Sequence, residues 1–296
     1  MTGVIIDARI NEYTSRDPNP NVPWSPEEIG EAARACREAG ASIVHYHARD
    51  PETGAPSSAP ELYAAAAREI RARCDVLIMP TLGAGQIPDL DDRFGHIEVM
   101  AKHARSRADL VPLDFATTNL PMLVTELDGG PALVGDDLYY LNSVGMLKEL
   151  ARRTRAAGAV PMAACWNVSS LRLLSAFLAT GVFDEPCYAE LFCTEGGLLA
   201  GHPGTRAGLE AFLACLPEGR SVCWAIACYG ANALPLAELA IERGGHVALG
   251  LGDYAYPELG DGRPTNADVV AAVAERARAA GRGVATPEEV RAILRA

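Results

Sequence analysis

The chain has 296 residues, 49% of them hydrophobic, and a formal net charge of -12. That balance excludes nucleic acid as the main partner, since phosphate binding needs a basic face, although one or two buried arginines or a metal ion can still hold a small anion. No apolar run approaches the roughly 18 residues that span a bilayer, and the opening MTGVIIDARINEY lacks a basic stretch followed by a long apolar run. It reads as a first β-strand rather than a signal peptide, and a cytoplasmic protein with no membrane partner is expected.

Eight short, near-continuously apolar runs follow one another: Gly3–Ala8, Ser42–His47, Val76–Pro80, Asp109–Asp114, Ala159–Cys165, Tyr188–Cys193, Val222–Ala227 and His246–Leu251. Such runs are the mark of strands buried on both faces of a parallel sheet. Amphipathic helices are predicted between them. Ser25-Pro26-Glu27-Glu28 is a helix start with a cap, a proline at the first turn and a closing glutamate, and Thr286-Pro287-Glu288-Glu289 repeats the device for a last helix. Further helices are expected near 61–73, 86–106, 143–157, 169–180, 205–215, 231–243 and 266–281. Strand then helix, eight times over, without an internal linker, predicts an α/β fold of one domain over residues 1–296: a (β/α)8 TIM barrel. The eight cysteines form no Cys-x-x-Cys pair and read as reduced core thiols, with Cys165, Cys193 or Cys228 at a strand end as the sharper, catalytic alternative.

In this fold the active site lies at the C-terminal ends of the strands. The second strand ends in IVHYHARD, where His45 and His47, two residues apart, face one side and suit a divalent metal. Arg49 and Asp50 follow. Glu12 and Thr14 lie after the first strand, and Thr81, Gly83 and Gly85 after the third. Thr117, Thr118 and Asn119 follow the fourth, as orienting groups for a polar ligand or as a helix cap. Trp166 and Asn167 follow the fifth strand, Glu195 and then His202 the sixth, and Asp253 the eighth. His96 and His103 are placed on an exposed helix face, and His246 at the stability end of the barrel.

The segments NPNVPWSPEEIGEAARACREAGASIVHYHARDPETGAPS, GGHVALGLGDY, GRPTNADVV and GRGVATPEEVRAIL resemble the β-keto acid cleavage enzymes, whose prototype is 3-keto-5-aminohexanoate cleavage enzyme. The resemblance covers essentially the whole chain. It implies a zinc-containing barrel, usually a homotetramer, that reacts a β-keto acid with acetyl-CoA to give acetoacetate and a new CoA ester. It also implies His45 and His47 as zinc ligands, Glu12, Thr81 and Thr117 as substrate contacts, and Asp253 as the catalytic carboxylate. Asn119 is added here as a further polar contact.

The pattern departs from that family at the chemistry. Gly252 stands where the family has its third zinc ligand, a glutamate, and Ala248 where it has an arginine that pairs with the aspartate and the substrate. Asp253, Glu195 or Glu12 is then expected to complete the metal site, and Arg49 to anchor the substrate carboxylate, unless Asp50 holds it in an ion pair. Two other readings stay open: a metal-dependent hydrolase or lyase on the same barrel, and a homologue that lost its metal and binds a ligand without catalysis. Amidohydrolases also combine His-x-His with a late-strand aspartate, but they carry the pair on the first strand.

Overall fold

The computed structural model describes residues 3–82, 89–125 and 129–295; Gly83 and Gly85 lie outside the described residues. Eight parallel strands form one sheet: β1 (Ile6–Arg9), β2 (Ile43–Tyr46), β3 (Leu77–Pro80), β4 (Leu110–Asp114), β9 (Val160–Cys165), β10 (Cys187–Thr194), β11 (Val222–Tyr229) and β12 (His246–Leu249). They are ordered β3-β2-β1-β12-β11-β10-β9-β4, so the first and last strands of the chain pair with each other and the sheet curls into a barrel. The seam falls between β3 and β4, and Asp109 fastens it. The Asp109 amide donates to the Ile78 carbonyl at 2.9 Å, and its carboxylate accepts from the Ile78 amide at 2.7 Å.

The helices are α1 (Pro26–Ala39), α2 (Pro60–Arg73), α3 (Leu90–Ala101), α4 (Val144–Ala156), α5 (Val168–Ala179), α6 (Arg206–Leu213), α7 (Leu234–Glu242), α8 (Asn266–Ala279) and α9 (Pro287–Leu294). Ser25 and Thr286 close capping boxes at α1 and α9, as their spacing predicts. Strands and helices thus alternate as expected, in a (β/α)8 barrel. The ninth helix has a separate task. Val290 and Leu294 of α9 join Ile5, Ile43, Leu77 and Leu110 in the apolar cluster inside the barrel, so α9 seals its N-terminal floor.

Side-chain alternation sorts each strand between two cores. Ala8, Val44, Ile78, Leu113, Leu191 and Val247 face the helices, whereas Ile43, Leu77, Met79, Tyr188 and Phe192 face the interior. The same alternation turns Asp7 and Arg9 inward together. In register, Arg9 lies opposite His45, and His45 opposite Met79.

The sequence predicts no regular element over 115–142. There the chain builds two antiparallel ribbons: β5 (Thr118–Asn119) with β8 (Tyr139–Tyr140), and β6 (Met122–Val124) with β7 (Ala132–Val134). They rise over the C-terminal mouth. All eight cysteines are free, five of them buried. Burial pushes the Cys193 and Cys228 thiols up to about 12 and Cys165 well above its ordinary value, which leaves them protonated, inert core residues. No helix among the described residues is long and apolar enough to cross a membrane.

Candidate metal centre and active site

The mouth of the barrel holds a cavity of about 340 Å³. At its base, Nε2 of His45 and Nε2 of His47 approach to 3.2 Å. The Glu12 carboxylate closes the triangle, with Oε1 at 3.1 Å from His45 and Oε2 at 2.7 Å from His47. All three side chains are buried. Among the described residues, this is the group of His, Cys, Asp and Glu whose ligand atoms gather within 4.8 Å of one another.

The loop after β1 brings Glu12 there. The Asn11 side chain grips the His47 backbone twice, accepting from its amide and donating to its carbonyl, each at 2.9 Å. Glu12 then takes φ +35°, a left-handed conformation that costs an L-residue on the order of 1–3 kcal/mol. Arg49 holds it there, Nη1 donating to the Glu12 carbonyl at 2.8 Å and Nη2 to the Thr14 carbonyl. Arg49 is therefore a clamp on the loop. It does not line the cavity, and it makes no ion pair with Asp50, whose carboxylate accepts from Glu52 and Thr53 instead.

Arg9, from the middle of the barrel, links the acidic groups. Its Nη2 reaches Glu12 at 2.7 Å and its Nη1 Glu190 at 3.1 Å, while Nε donates to both Asp253 oxygens, at 3.0 and 3.1 Å. Burial works against the guanidinium's charge, but Asp253, Glu12 and Glu190 outweigh it and keep Arg9 protonated. Burial also works to raise the Glu12 carboxyl. Arg9, His47 and His45 more than offset that and hold it well below the usual carboxylate range. Burial lowers His47, which favours the neutral imidazole a metal needs. Asp7 lies fully buried beneath; burial and the adjoining Glu190 charge raise it well above its ordinary value, which favours its protonated form.

The other residues singled out from the sequence separate. Thr81 lines the cavity beside the histidines. Thr117 is exposed; its hydroxyl accepts from the Asn142 amide at 2.9 Å. Asn119 is exposed in the first ribbon, opposite Tyr139. Both belong to the ribbon framework and neither lines the cavity, because the chain turns outward after Asp114. Glu195 accepts from the Gly204 amide at 2.8 Å, pinning its own loop, and neither it nor Asp253 belongs to the group around the histidines. Asp253 is spent on Arg9, and its side chain does not reach the cavity wall. His96 corrects an expectation of exposure: it is buried, with Nε2 at 2.7 Å from the Thr81 carbonyl. His246 is structural, its Nδ1 accepting from the Ile5 amide at 3.0 Å. Asn167 caps α5, accepting from the Ser170 amide.

Arg9, Glu190 and Asp114 were not singled out from the sequence. Their signal is plain in hindsight: Asp7 and Arg9 at alternate positions of GVIIDARIN, and Glu190 in CYAELFC, are charges inside apolar strands. A charge there faces the barrel interior and needs partners.

The family model for beta-keto acid cleavage enzymes matches residues 3–295. The chain belongs to this family. A 3-keto-5-aminohexanoate cleavage enzyme of Acetoanaerobium sticklandii is 27% identical over 296 residues, covering 99% of this chain and 98% of the relative. A 3-dehydrocarnitine:acetyl-CoA trimethylamine transferase of Rhizobium meliloti is 29% identical, covering 93% and 90%. Among solved structures, the complex of ObcA with oxaloacetate superposes with a TM-score of 0.71 at 16% identity, over 93% of this chain and 67% of that one, a likeness of fold. In this β-keto acid cleavage enzyme, Glu12 stands against Gly252, and Arg9 lies on the strand paired with that of Ala248. Where Ala248 offers no arginine, Arg9 of the adjacent strand enters the interior and takes Asp253; where Gly252 offers no carboxylate, Glu12 approaches the histidines.

Proposed function

We propose that the chain binds a divalent metal, zinc by its family resemblance, through His45, His47 and Glu12, and there exchanges the acyl group of a β-keto acid with acetyl-CoA. The observation that carries this is the convergence of two histidine nitrogens and a carboxylate within 2.7–3.2 Å of one another. A tetrahedral ion with ligands at about 2.0–2.1 Å sets neighbouring ligand atoms roughly 3.3 Å apart, so the donor set matches in kind and lies within about 0.6 Å of that spacing. Charge supports it as well. One guanidinium faces Glu12 and Glu190 at the cavity base, an excess of negative charge that repels a keto acid until a divalent cation offsets it.

In the exchange, the bond between C2 and C3 of R–CO–CH2–COO⁻ breaks and a bond from C2 to the acetyl carbon forms, giving acetoacetate and R–CO–SCoA. The metal, when bound, supplies a Lewis acid that draws charge onto the keto oxygen. Thr81, beside the histidines, donates to a substrate oxygen. The N–H groups of Arg9 not taken by carboxylates face the substrate carboxylate. Glu190 lines the cavity at its base outside the ligand group, while Asp114, the other lining carboxylate, is tied to Trp166 and Tyr140, so Glu190 takes the C2 proton. Asp253 acts through Arg9 as a positioning residue. The acetyl-CoA partner rests on the name of the Rhizobium relative; a homo-oligomer in the cytoplasm rests on resemblance and the unpaired thiols.

Elemental analysis of protein purified without added metal tests the centre, with the His45→Ala/His47→Ala double variant beside it. About one zinc per chain, absent from the variant, is the expected result, with acetoacetate formed from a β-keto acid and acetyl-CoA by wild type alone. No metal in either protein after zinc soaking would falsify this reading.

A further inference from the structure

Among the described residues, every charged group that lines the cavity, one excepted, lies at its base. Arg9 and Glu12 come from β1 and the loop after it, His45 and His47 from the end of β2, and Glu190 from β10. The far side is apolar. Leu120, Met122 and Leu138 descend from the ribbons and Leu198 from the loop after β10, while Met162 and Phe192 form the flank. Trp166 stacks on Phe192 with ring centroids 4.5 Å apart.

The exception is Asp114, and its charge is already used. Oδ1 accepts from Trp166 Nε1 at 2.7 Å, Oδ2 accepts from the Tyr140 hydroxyl at 2.5 Å, and Arg93 stands 3.9 Å away. Arg93 in turn donates to the Tyr140 hydroxyl at 2.7 Å and to the Leu141 carbonyl at 3.3 Å. Asp114 thus fixes Trp166 and Tyr140 as walls, and Arg93 beside it offsets its charge. Among the described residues that line the far side, no cation faces a second carboxylate. A charged tail entering here loses water and meets no partner that is not already shared, whereas a hydrocarbon tail gains by leaving water.

We infer that the group R of the β-keto acid is uncharged and apolar, selected by the wall of Leu138, Leu198, Met162 and Trp166. This rests on the cleavage reaction proposed above and names its substrate class. Apolar walls discriminate by desolvation, so a charged group of the same length is rejected more sharply than a methylene is counted.

Three six-carbon keto acids that differ only in the tail test it: 3-oxohexanoate, 3-keto-5-aminohexanoate and 3-oxoadipate. Each is given to the metal-loaded full chain with acetyl-CoA, and binding is followed separately by calorimetry. The neutral tail is expected to lead both charged ones by at least about 100-fold in kcat/KM or in affinity. Leu138→Lys, a half-exposed position outside the chemistry, is expected to narrow the gap for 3-oxoadipate at least tenfold. Equal or better use of either charged tail overturns the specificity and leaves the cleavage reaction standing. If none of the three is bound or turned over, the cleavage reading itself falls, and this inference with it.

Discussion

A Cβ on Gly252 would stand 2.6 Å from Cγ of Glu12 and 2.7 Å from its backbone nitrogen. The missing side chain at 252 is therefore the space that Glu12 occupies. The Thr14 hydroxyl, donating to the Gly252 carbonyl at 2.5 Å, closes the contact from the other side. A position that reads from sequence as a missing carboxylate is the room in which another carboxylate meets the histidines.

Gly252→Ala follows directly. One methyl group enters space held by Glu12, whose backbone is already in a left-handed conformation and clamped by Arg49, so the carboxylate is pushed off the histidines. Zinc affinity is expected to fall roughly 10–100-fold, the range seen when support for a metal ligand is removed. Competition with a chromogenic chelator measures this, and circular dichroism shows whether the fold is kept. A Gly252→Ala protein that folds and binds zinc as tightly as wild type would remove Glu12 from the ligand set.

Asp253 sets a pH dependence. Burial raises its carboxyl; Arg9 pulls it down; Glu12 and Glu190 add to the rise, and the balance lies at about 8. Because this acid sits above its ordinary value, it is protonated below that pH and ionised above it. Arg9 is held best by the ionised form, so kcat/KM for the keto acid is expected to climb as pH rises from 7 to 9. In Asp253→Asn the climb should flatten and KM increase about tenfold or more, with a smaller change in kcat. Glu190→Gln should do the opposite, losing kcat by roughly 100-fold or more with KM nearly kept. A reversed pattern would make Asp253 the proton acceptor.

His246 predicts acid sensitivity of the fold. Its Nδ1 accepts from the Ile5 amide, which a protonated ring cannot do. Burial, with Arg282 adding to it, lowers the imidazole to about 4. The folded value is depressed below the unfolded one near 6.5, so the unfolded chain binds the extra proton between them. The stability contributed by neutral His246 is complete above about 6.5 and is lost as pH falls toward 4, on the order of 3 kcal/mol in all. His246→Asn keeps an acceptor at the same branch and cannot be protonated. Urea unfolding at pH 7 and at pH 4.5 should show a smaller drop for the variant; an equal drop would assign the acid sensitivity elsewhere.

The sequence by itself determined the barrel. Eight apolar runs set the strands to within three residues at each end, because strands buried on both faces admit little else, and the caps at Ser25 and Thr286 begin their helices where predicted. His45 and His47 were legible too, since a spacing of two on a strand end means a shared face. The rest required the tertiary structure. The ribbons of 115–142 are short strands whose partners lie within an irregular excursion, with no period to betray them. Thr117 and Asn119 lie exposed in that segment, a placement that no spacing in the sequence reports. Arg9 meets Asp253 and Glu190 across 244 and 181 residues of chain, and Glu12 meets the histidines only because Gly252, on the far end of the sequence, leaves room. Sequence spacing reports which face a residue takes within one strand. Which residues from different strands meet inside the barrel is decided by closure, where β1 and β12 become neighbours.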